Sequence, residues 1–182
     1  MNALEFARMG FKDRNIGALT RTSPFVVRRL MKELKPDFRF VMEYGPGDGV
    51  ITQALLNHLP QEGRVFAVEQ NEDFRISLDA LTNQRLVVIY GDALNVLRSW
   101  NEKEVGIKID TVISGIPFSL MEEPERWEIV HRTSELLSPG GIFLLYQYLP
   151  SVLPALRRRF QRVDVGCAFL NLPPYLIIRA EK

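Results

Sequence analysis

The sequence predicts an α/β fold in which a mostly parallel, seven-stranded sheet is covered by helices on both faces. Short β-branched and apolar segments recur through the middle of the chain, and segments with helical spacing of apolar residues separate them. Strands that are buried on both faces have such continuous apolar runs, and their alternation with helices produces parallel pairing. The chain has 182 residues, 46% of them hydrophobic, and no long linker, so we expect a single domain over residues 1–182.

Five segments have the pattern of parallel strands: 38–44, 64–69, 86–90, 109–114 and 141–148. After them, two further strand patterns at 163–170 and 175–180 are separated by Asn171-Leu-Pro-Pro174. We expect these two to form an antiparallel pair that closes one edge of the sheet.

Residues 1–37 are expected to form a helical cap before the first strand. In the first helix, Leu4, Ala7 and Phe11 share one face and charged residues occupy another. The second helix begins at Ser23 as N-cap, with Pro24 at its first position. Its polar face is expected to carry a stripe of basic residues, namely Arg28, Arg29, Lys32 and Lys35.

The composition argues against several classes of protein. No apolar run approaches the roughly 20 residues that span a bilayer, and the first residues include Glu5 and Arg8 where a signal peptide is apolar, so we expect a cytoplasmic protein. The single Cys167 leaves no internal disulfide and no cysteine cluster for zinc. His58 and His131 lack the spacing of metal ligands, so no metal is expected.

The net charge of +1 conceals an uneven distribution along the chain. Residues 1–40 have nine Lys or Arg and four Asp or Glu, residues 41–148 have eight and sixteen, and residues 149–182 have six and two. Basic ends suit an anionic partner, either phospholipid headgroups or nucleic acid. A surface charge that simply falls unevenly explains the same counts.

A glycine-rich turn follows the first predicted strand, in the segment Glu43-Tyr-Gly45-Pro-Gly47-Asp-Gly49. Glycines at such a turn let the backbone bend sharply and approach a ligand closely. The dinucleotide-binding pattern needs its third glycine at position 50, where this chain has Val50. The turn therefore indicates a ligand loop but disfavours a dinucleotide.

Two acidic residues stand where the next strands end. Glu69 ends the second strand, twenty residues after Gly49, and there a carboxylate can accept hydrogen bonds from both hydroxyls of a ribose. Asp92 follows the third strand. The alternative is that both residues are only helix caps.

With these features the chain resembles the class I S-adenosylmethionine-dependent methyltransferases, whose domain is Rossmann-like. The Glu-x-Gly-x-Gly-x-Gly segment resembles their motif I, and Ser138-Pro-Gly-Gly141 before the fifth strand is common among them. The resemblance implies S-adenosylmethionine as the cofactor. It also implies that Glu43 helps to hold the ammonium of this cofactor and that Asp92 lies near its adenine amino group. The residues implied in cofactor binding are Glu43, Gly45, Gly47, Gly49, Glu69, Asp92 and Ser114.

Three further segments, 15–24, 114–117 and 169–174, resemble the bacterial phospholipid N-methyltransferases. Those enzymes methylate phosphatidylethanolamine stepwise toward phosphatidylcholine, and the resemblance runs from about residue 15 to the end of the chain. It implies a phospholipid amine as acceptor and peripheral association with an anionic membrane surface, at the inner face of the membrane. The first helix would lie in the headgroup layer or, alternatively, only cover the cofactor.

The expected acceptor site follows the fourth strand, at Ser114-Gly-Ile-Pro-Phe118. In methyltransferases that act on amino nitrogens, the loop here often reads Asn/Asp-Pro-Pro-aromatic, from which Ser114 and Ile116 depart. The candidate catalytic residues are Ser114, Phe118 and Tyr148, because aromatic faces attract an ammonium and a tyrosine hydroxyl can relay the proton of the amine. Tyr175 is a further candidate wall. The alternative is that Phe118 and Tyr148 are core aromatics.

Other functions stay open at this point. The rRNA adenine dimethyltransferases share much of the core that this chain resembles, and basic ends can bind RNA. A methyltransferase of small amines and a cofactor-binding protein without catalysis are the remaining alternatives.

Overall fold

The computed structural model describes residues 22–100, 106–168 and 174–182. Its strands form one sheet in the order β3-β2-β1-β4-β5-β7-β6. β1 to β5 are parallel, whereas β7 pairs antiparallel with both β5 and β6. The strands are β1 Phe40–Tyr44, β2 Arg64–Glu69, β3 Leu86–Tyr90, β4 Ile109–Ser114, β5 Leu137–Gln147, β6 Arg162–Ala168 and β7 Tyr175–Glu181. The predicted sheet architecture, including its antiparallel edge, is confirmed.

Helices connect the strands. They are α1 Pro24–Glu33, α2 Val50–His58, α3 Arg75–Asp79, α4 Ala93–Ser99, α5 Glu123–Leu136 and α6 Leu153–Arg159. Two 3-10 turns, Glu72–Phe74 and Phe118–Leu120, follow β2 and β4. Within the described ranges, no helix is long and apolar enough to cross a membrane. The predicted first helix, at residues 4–12, lies outside the described residues.

The predicted start of α1 is confirmed, because the Ser23 hydroxyl accepts a hydrogen bond from the Val26 N–H at 3.5 Å. The prediction that Lys35 belongs to the exposed basic stripe is wrong. The Lys35 ammonium donates to the Glu181 carboxylate at 2.9 Å and to the Gly140 carbonyl at 3.0 Å, so it ties the chain after α1 to β7 and to the turn inside β5. The exposed basic residues of α1 are therefore the three that precede it.

The sheet has a hydrophobic core on each face. One core packs β-strand residues against α4, α5 and α6, and includes Tyr44, Phe118 and Phe143. The other packs the opposite face against α1 and α2, and includes Ile113 and Tyr146. Because successive side chains of a strand point to opposite faces, Glu43 lies on the α1/α2 face while its neighbour Tyr44 lies on the other.

Candidate active site

The glycine loop between β1 and α2 adopts a backbone that only glycine accepts readily. Gly45, Gly47 and Gly49 have φ angles of +69°, +57° and +81°. Space is also restricted, since a Cβ atom on Gly45 would lie 2.9 Å from Cγ2 of Ile116, and one on Gly49 would lie 2.7 Å from Cδ1 of Leu81. The loop is therefore packed closely between the segment after β4 and the end of the segment after β2.

Glu43 is a fully buried carboxyl group directly before this loop. Its Oε2 accepts a hydrogen bond of 2.6 Å from the Thr52 hydroxyl, and its Oε1 is buried with no hydrogen-bond partner among the described residues. Burial raises the pKa of Glu43 to about 8, and the nearby charges of Glu69 and Asp48 act in the same direction. The unpartnered oxygen fits a cationic donor such as an ammonium, which would favour the ionised carboxylate.

Glu69 stands at the end of β2, only 6% exposed, and holds the loop from the other side. Its Oε2 accepts from the Gly47 N–H at 3.0 Å and its Oε1 from the Asn71 N–H at 2.8 Å. Each oxygen of a carboxylate can accept more than one hydrogen bond. Glu69 therefore fixes the loop and retains the capacity to accept from hydroxyl groups.

Asp92 lies at the same edge of the sheet, next to the end of β2. The Gly91 N–H donates to the Glu69 carbonyl at 2.8 Å, which places Asp92 beside that strand end. Its Oδ1 accepts from the Asn95 N–H at 3.0 Å and caps α4. The helix-cap alternative thus holds for Asp92, and its role toward an adenine stays a prediction.

Ser114 ends β4 directly beside β1. The N–H of the following Gly115 donates to the Tyr44 carbonyl at 3.0 Å. The Ser114 side chain is 1% exposed, and its hydroxyl has no hydrogen-bond partner in the described part of the chain. This hydroxyl and Glu43 Oε1 both lack a partner among the described residues and belong to neighbouring strands, but Ser114 pairs with Tyr44, so its side chain lies on the opposite face of the sheet from Glu43.

The structure separates the two aromatic residues that the sequence proposes for the acceptor site. Phe118 is fully buried and its ring packs edge-on against Phe143, with centroids 6.4 Å apart, so it belongs to the core under α5 as a core aromatic. Tyr148 is half-buried and stacks on Tyr175, with centroids 4.3 Å apart and ring planes at 19°. Burial raises the pKa of Tyr175, and its hydrogen bond with Tyr148 raises it further.

Sequence reasoning missed Thr52 and Tyr146. Thr52 is fully buried in the first turn of α2, where it points at Glu43. Tyr146 is 8% exposed, and a Cβ atom on Gly115 would lie 2.2 Å from its hydroxyl oxygen. The available signal is alternation along the predicted strand 141–148, because Tyr146 is two residues before Tyr148 and is therefore expected on the same side.

These residues fit a ligand that carries a cation and hydroxyl groups. The glycine loop offers close approach to its backbone, Glu43 offers an acceptor oxygen without a partner among the described residues, and Glu69 offers further acceptor capacity. In the described part of the chain, no three His, Cys, Asp or Glu side chains gather as metal ligands would.

Comparison with known proteins identifies the fold. No family model matches the chain. A relative, the ornithine lipid N-methyltransferase of Singulisphaera acidiphila, is 26% identical over 163 residues, which cover 87% of this chain and 84% of the relative.

Two solved methyltransferase structures have the same architecture. Precorrin-6y C5,15-methyltransferase from Geobacter metallireducens superposes with a TM-score of 0.70 at 18% identity, covering 89% of this chain and 91% of the other. The N-methyltransferase NodS from Bradyrhizobium japonicum, in complex with S-adenosylhomocysteine, superposes with a TM-score of 0.65 at 13% identity, covering 88% of each chain. Both structures show that the chain has the class I S-adenosylmethionine-dependent methyltransferase fold, and the similarity to the ornithine lipid N-methyltransferase supports its assignment as a methyltransferase.

Proposed function

We propose that the protein uses S-adenosylmethionine to methylate the amine of a membrane lipid, with phosphatidylethanolamine as the preferred type of acceptor. The observation that carries this proposal is the similarity to an ornithine lipid N-methyltransferase, which extends over 87% of the chain. That relative's name describes transfer to a nitrogen of a lipid, the same class of acceptor that the sequence motifs imply.

On the cofactor side, the described residues would each bind a different part of S-adenosylmethionine. Glu43 would accept a hydrogen bond from the ammonium of the cofactor, Glu69 would accept from its ribose hydroxyls, and the glycine loop would hold its methionine part. When bound, S-adenosylmethionine would supply a methyl carbon attached to a sulfonium sulfur. The amine nitrogen would form a bond to that carbon in line with the breaking C–S bond, the sulfur keeping the electron pair and the nitrogen losing a proton.

On the acceptor side, the residues after β4 and β5 hold the amine and exclude water. The Ser114 hydroxyl, at the end of β4, has no hydrogen-bond partner among the described residues. Tyr148, after β5, and Tyr175, at the start of β7, offer stacked aromatic faces. Aromatic faces attract an ammonium, so they stabilise a methylated headgroup. Tyr148 is proposed to relay the proton that the amine loses.

A lipid acceptor also requires contact with a membrane, which we propose occurs peripherally, at the anionic inner face. In the first turn of α1, Phe25 is 47% exposed. The guanidinium of Arg28 lies 4.9 Å from the centre of the Phe25 ring. Arg29 and Lys32 are exposed on the same helix. Each cation near an anionic surface contributes about 1 kcal/mol of binding, and a half-exposed aromatic suits the headgroup layer.

The membrane part of the proposal is tested by sedimentation with phosphatidylglycerol vesicles, with phosphatidylcholine vesicles as the uncharged control. We expect binding to the anionic vesicles to fall about 100-fold in the Arg28→Gln, Arg29→Gln, Lys32→Gln variant, since three cations are removed. Deletion of residues 1–14 should weaken binding as well. Sedimentation that is unchanged in both variants contradicts the proposed membrane contact.

The acceptor is tested by transfer of a radiolabelled methyl group. Parallel reactions contain vesicles of phosphatidylethanolamine, vesicles of ornithine lipid, rRNA or small amines, and phosphatidylcholine vesicles serve as a lipid control without an accessible amine. We expect label in the amine lipids, and most in phosphatidylethanolamine. Label that appears only in RNA or only in small amines overturns the lipid assignment and leaves the cofactor assignment intact.

A further inference from the structure

Tyr146 is a buried tyrosine whose hydroxyl lies where the segment after β4, which begins at Gly115, meets the glycine loop. We propose that this hydroxyl binds the acceptor amine and orients it for methyl transfer, and that residue 115 is glycine to let the hydroxyl reach that position. The inference rests on the proposed amine methyltransferase activity and names an acceptor-binding residue for it.

The close approach of Tyr146 to Gly115 is the first support. A Cβ atom on Gly115 would lie 2.2 Å from the tyrosine oxygen, 2.6 Å from its Cζ and 3.3 Å from the Gly45 carbonyl oxygen. No other residue type fits at position 115 without displacing the tyrosine. The hydroxyl therefore lies between the end of β4 and the glycine loop, where an acceptor has to meet the cofactor.

The faces of the sheet give the second support. Glu43 pairs with Ile113 in the neighbouring strand, and Gly115 is two residues further on the same side of β4. Tyr146 follows Leu145, which pairs with Ser114, and it shares the α1/α2 core with Ile113. The side chains of Glu43 and Tyr146, and the position that a Cβ atom of Gly115 would take, therefore lie on one face of the sheet, at its carboxyl edge.

The environment of Tyr146 decides what its hydroxyl can do. Burial raises the pKa of Tyr146, and the negative charge of Glu43 raises it further. The phenol stays protonated, so it is a hydrogen-bonding group and not a base. Its oxygen can accept from an N–H of the amine, while the proton that the amine loses must leave through another group or through water.

An aromatic surface extends from Tyr146 toward the outside. The rings of Tyr146 and Tyr175 meet edge-on with centroids 5.7 Å apart, and Tyr148 in turn stacks on Tyr175. Aromatic faces accommodate methyl groups on nitrogen, whereas the Tyr146 oxygen requires an N–H. The hydroxyl should therefore matter more for a primary amine than for an amine that already carries two methyl groups.

A purely structural explanation must be separated from this one, because the Tyr146 hydroxyl also forms a hydrogen bond with the Thr22 side chain. Tyr44 provides a matched control. It is fully buried at the end of β1, and its hydroxyl is 3.1 Å from the Thr133 hydroxyl on the opposite face of the sheet. Tyr44→Phe and Tyr146→Phe each remove one buried hydroxyl without changing the size of the ring.

The experiment compares these two variants with the wild-type chain. Affinity for S-adenosylmethionine is measured by calorimetry, kcat and KM are measured with phosphatidylethanolamine vesicles, and the mono-, di- and trimethylated products are separated. For Tyr146→Phe we expect unchanged cofactor affinity, a kcat/KM for the first methylation lowered about 3- to 10-fold, and a smaller loss for monomethylated and dimethylated acceptors. Tyr44→Phe should leave all of these values within about two-fold.

The possible results distinguish the inference from the function on which it rests. If the wild-type chain methylates the lipid and Tyr146→Phe keeps its kcat/KM and product ratio, the inference is wrong and the proposed function stands. Equal losses in both variants, parallel to a loss of thermal stability, also overturn it in favour of a structural role. A wild-type chain that methylates no amine overturns the proposed function itself.

Discussion

Glu43 is the last residue but one of β1 and Glu69 ends the neighbouring parallel strand β2, and both residues are nearly excluded from solvent, at 0% and 6% exposure. Their partners differ. Both oxygens of Glu69 accept backbone N–H groups, whereas Glu43 has one hydroxyl partner and one buried oxygen without any among the described residues. Glu69 therefore fixes the backbone of the glycine loop, whereas Glu43 keeps an acceptor oxygen to which no described residue donates.

The largest expected consequence is a pH dependence of stability that comes from Glu43. Its pKa is about 8 in the folded chain against 4.5 as the ordinary value, so between these values the folded chain binds one more proton than the unfolded chain. The free energy of unfolding should therefore fall as pH rises from about 4.5 to about 8, by on the order of 5 kcal/mol, and this contribution should be flat above that range. Urea unfolding of the cofactor-free protein across pH 5 to 9 measures it.

The matched control for this titration is Glu43→Gln, which keeps the size of the side chain and cannot ionise. Glu128 and Glu181 have pKa values lowered to about 2 by hydrogen bonds with cationic side chains, so they change stability only below about pH 4.5 and with the opposite sign. If the variant shows the same slope between pH 5 and 8 as the wild-type chain, Glu43 does not carry this dependence.

The next largest effect concerns affinity for the cofactor. In Glu43→Gln the Thr52 hydroxyl can still donate to the amide oxygen, so the amide NH₂ would take the place of the unpartnered acceptor. Loss of a hydrogen bond to a charged group lowers affinity about 10- to 100-fold. Calorimetry should show equal losses for S-adenosylmethionine and S-adenosylhomocysteine, because both carry the ammonium. A loss confined to S-adenosylmethionine would place Glu43 at the sulfonium instead.

Glu69→Gln should affect folding stability, in contrast to the variant at Glu43. A glutamine offers one acceptor oxygen for two backbone N–H groups, so either Gly47 or Asn71 loses its partner and faces an NH₂ donor. We expect the free energy of unfolding at pH 7 to fall by about 1–3 kcal/mol. Thermal unfolding should then shift by about 2–4 °C for each kcal/mol. Unchanged stability would show that the loop does not depend on the two hydrogen bonds that Glu69 accepts.

The sequence predicts the strands well because strands that are buried on both faces are continuous apolar runs. β2, β3 and β4 lie at the predicted positions. β5 begins earlier than predicted, at Leu137, because this residue pairs with Ile109 before the Pro-Gly-Gly turn and pairing resumes at Ile142. Nothing in the local pattern at Leu137 indicates a partner 28 residues away.

In the candidate site too, local features were predictable from the sequence and contacts between distant elements were not. The glycine loop and the acids at strand ends are local features, and the structure brings them to one edge of the sheet. Thr52 reaches Glu43 from the first turn of α2, and the Tyr146 hydroxyl reaches Gly115 from β5, so both contacts depend on how different elements pack together, which the local pattern of one segment does not specify. The sequence of the loop after β4 likewise does not determine the face that its aromatic residue occupies, and Phe118 falls on the core side.

Asp92 gives the smallest expected effect and the sharpest contrast with the two glutamates. Its Oδ1 caps α4 from a partly exposed position, and asparagine caps helices about as well as aspartate does. Asp92→Asn should therefore leave the free energy of unfolding within about 0.5 kcal/mol, whereas Asp92→Ala should lower it by about 1 kcal/mol. If the residue also accepts from the adenine amino group, Asp92→Asn should weaken adenosine binding a few-fold without any loss of stability, because its carboxylate acceptor is lost while the cap is kept. Calorimetry and urea unfolding of the same two variants separate the roles, and equal adenosine affinity in all three proteins would restrict Asp92 to capping the helix.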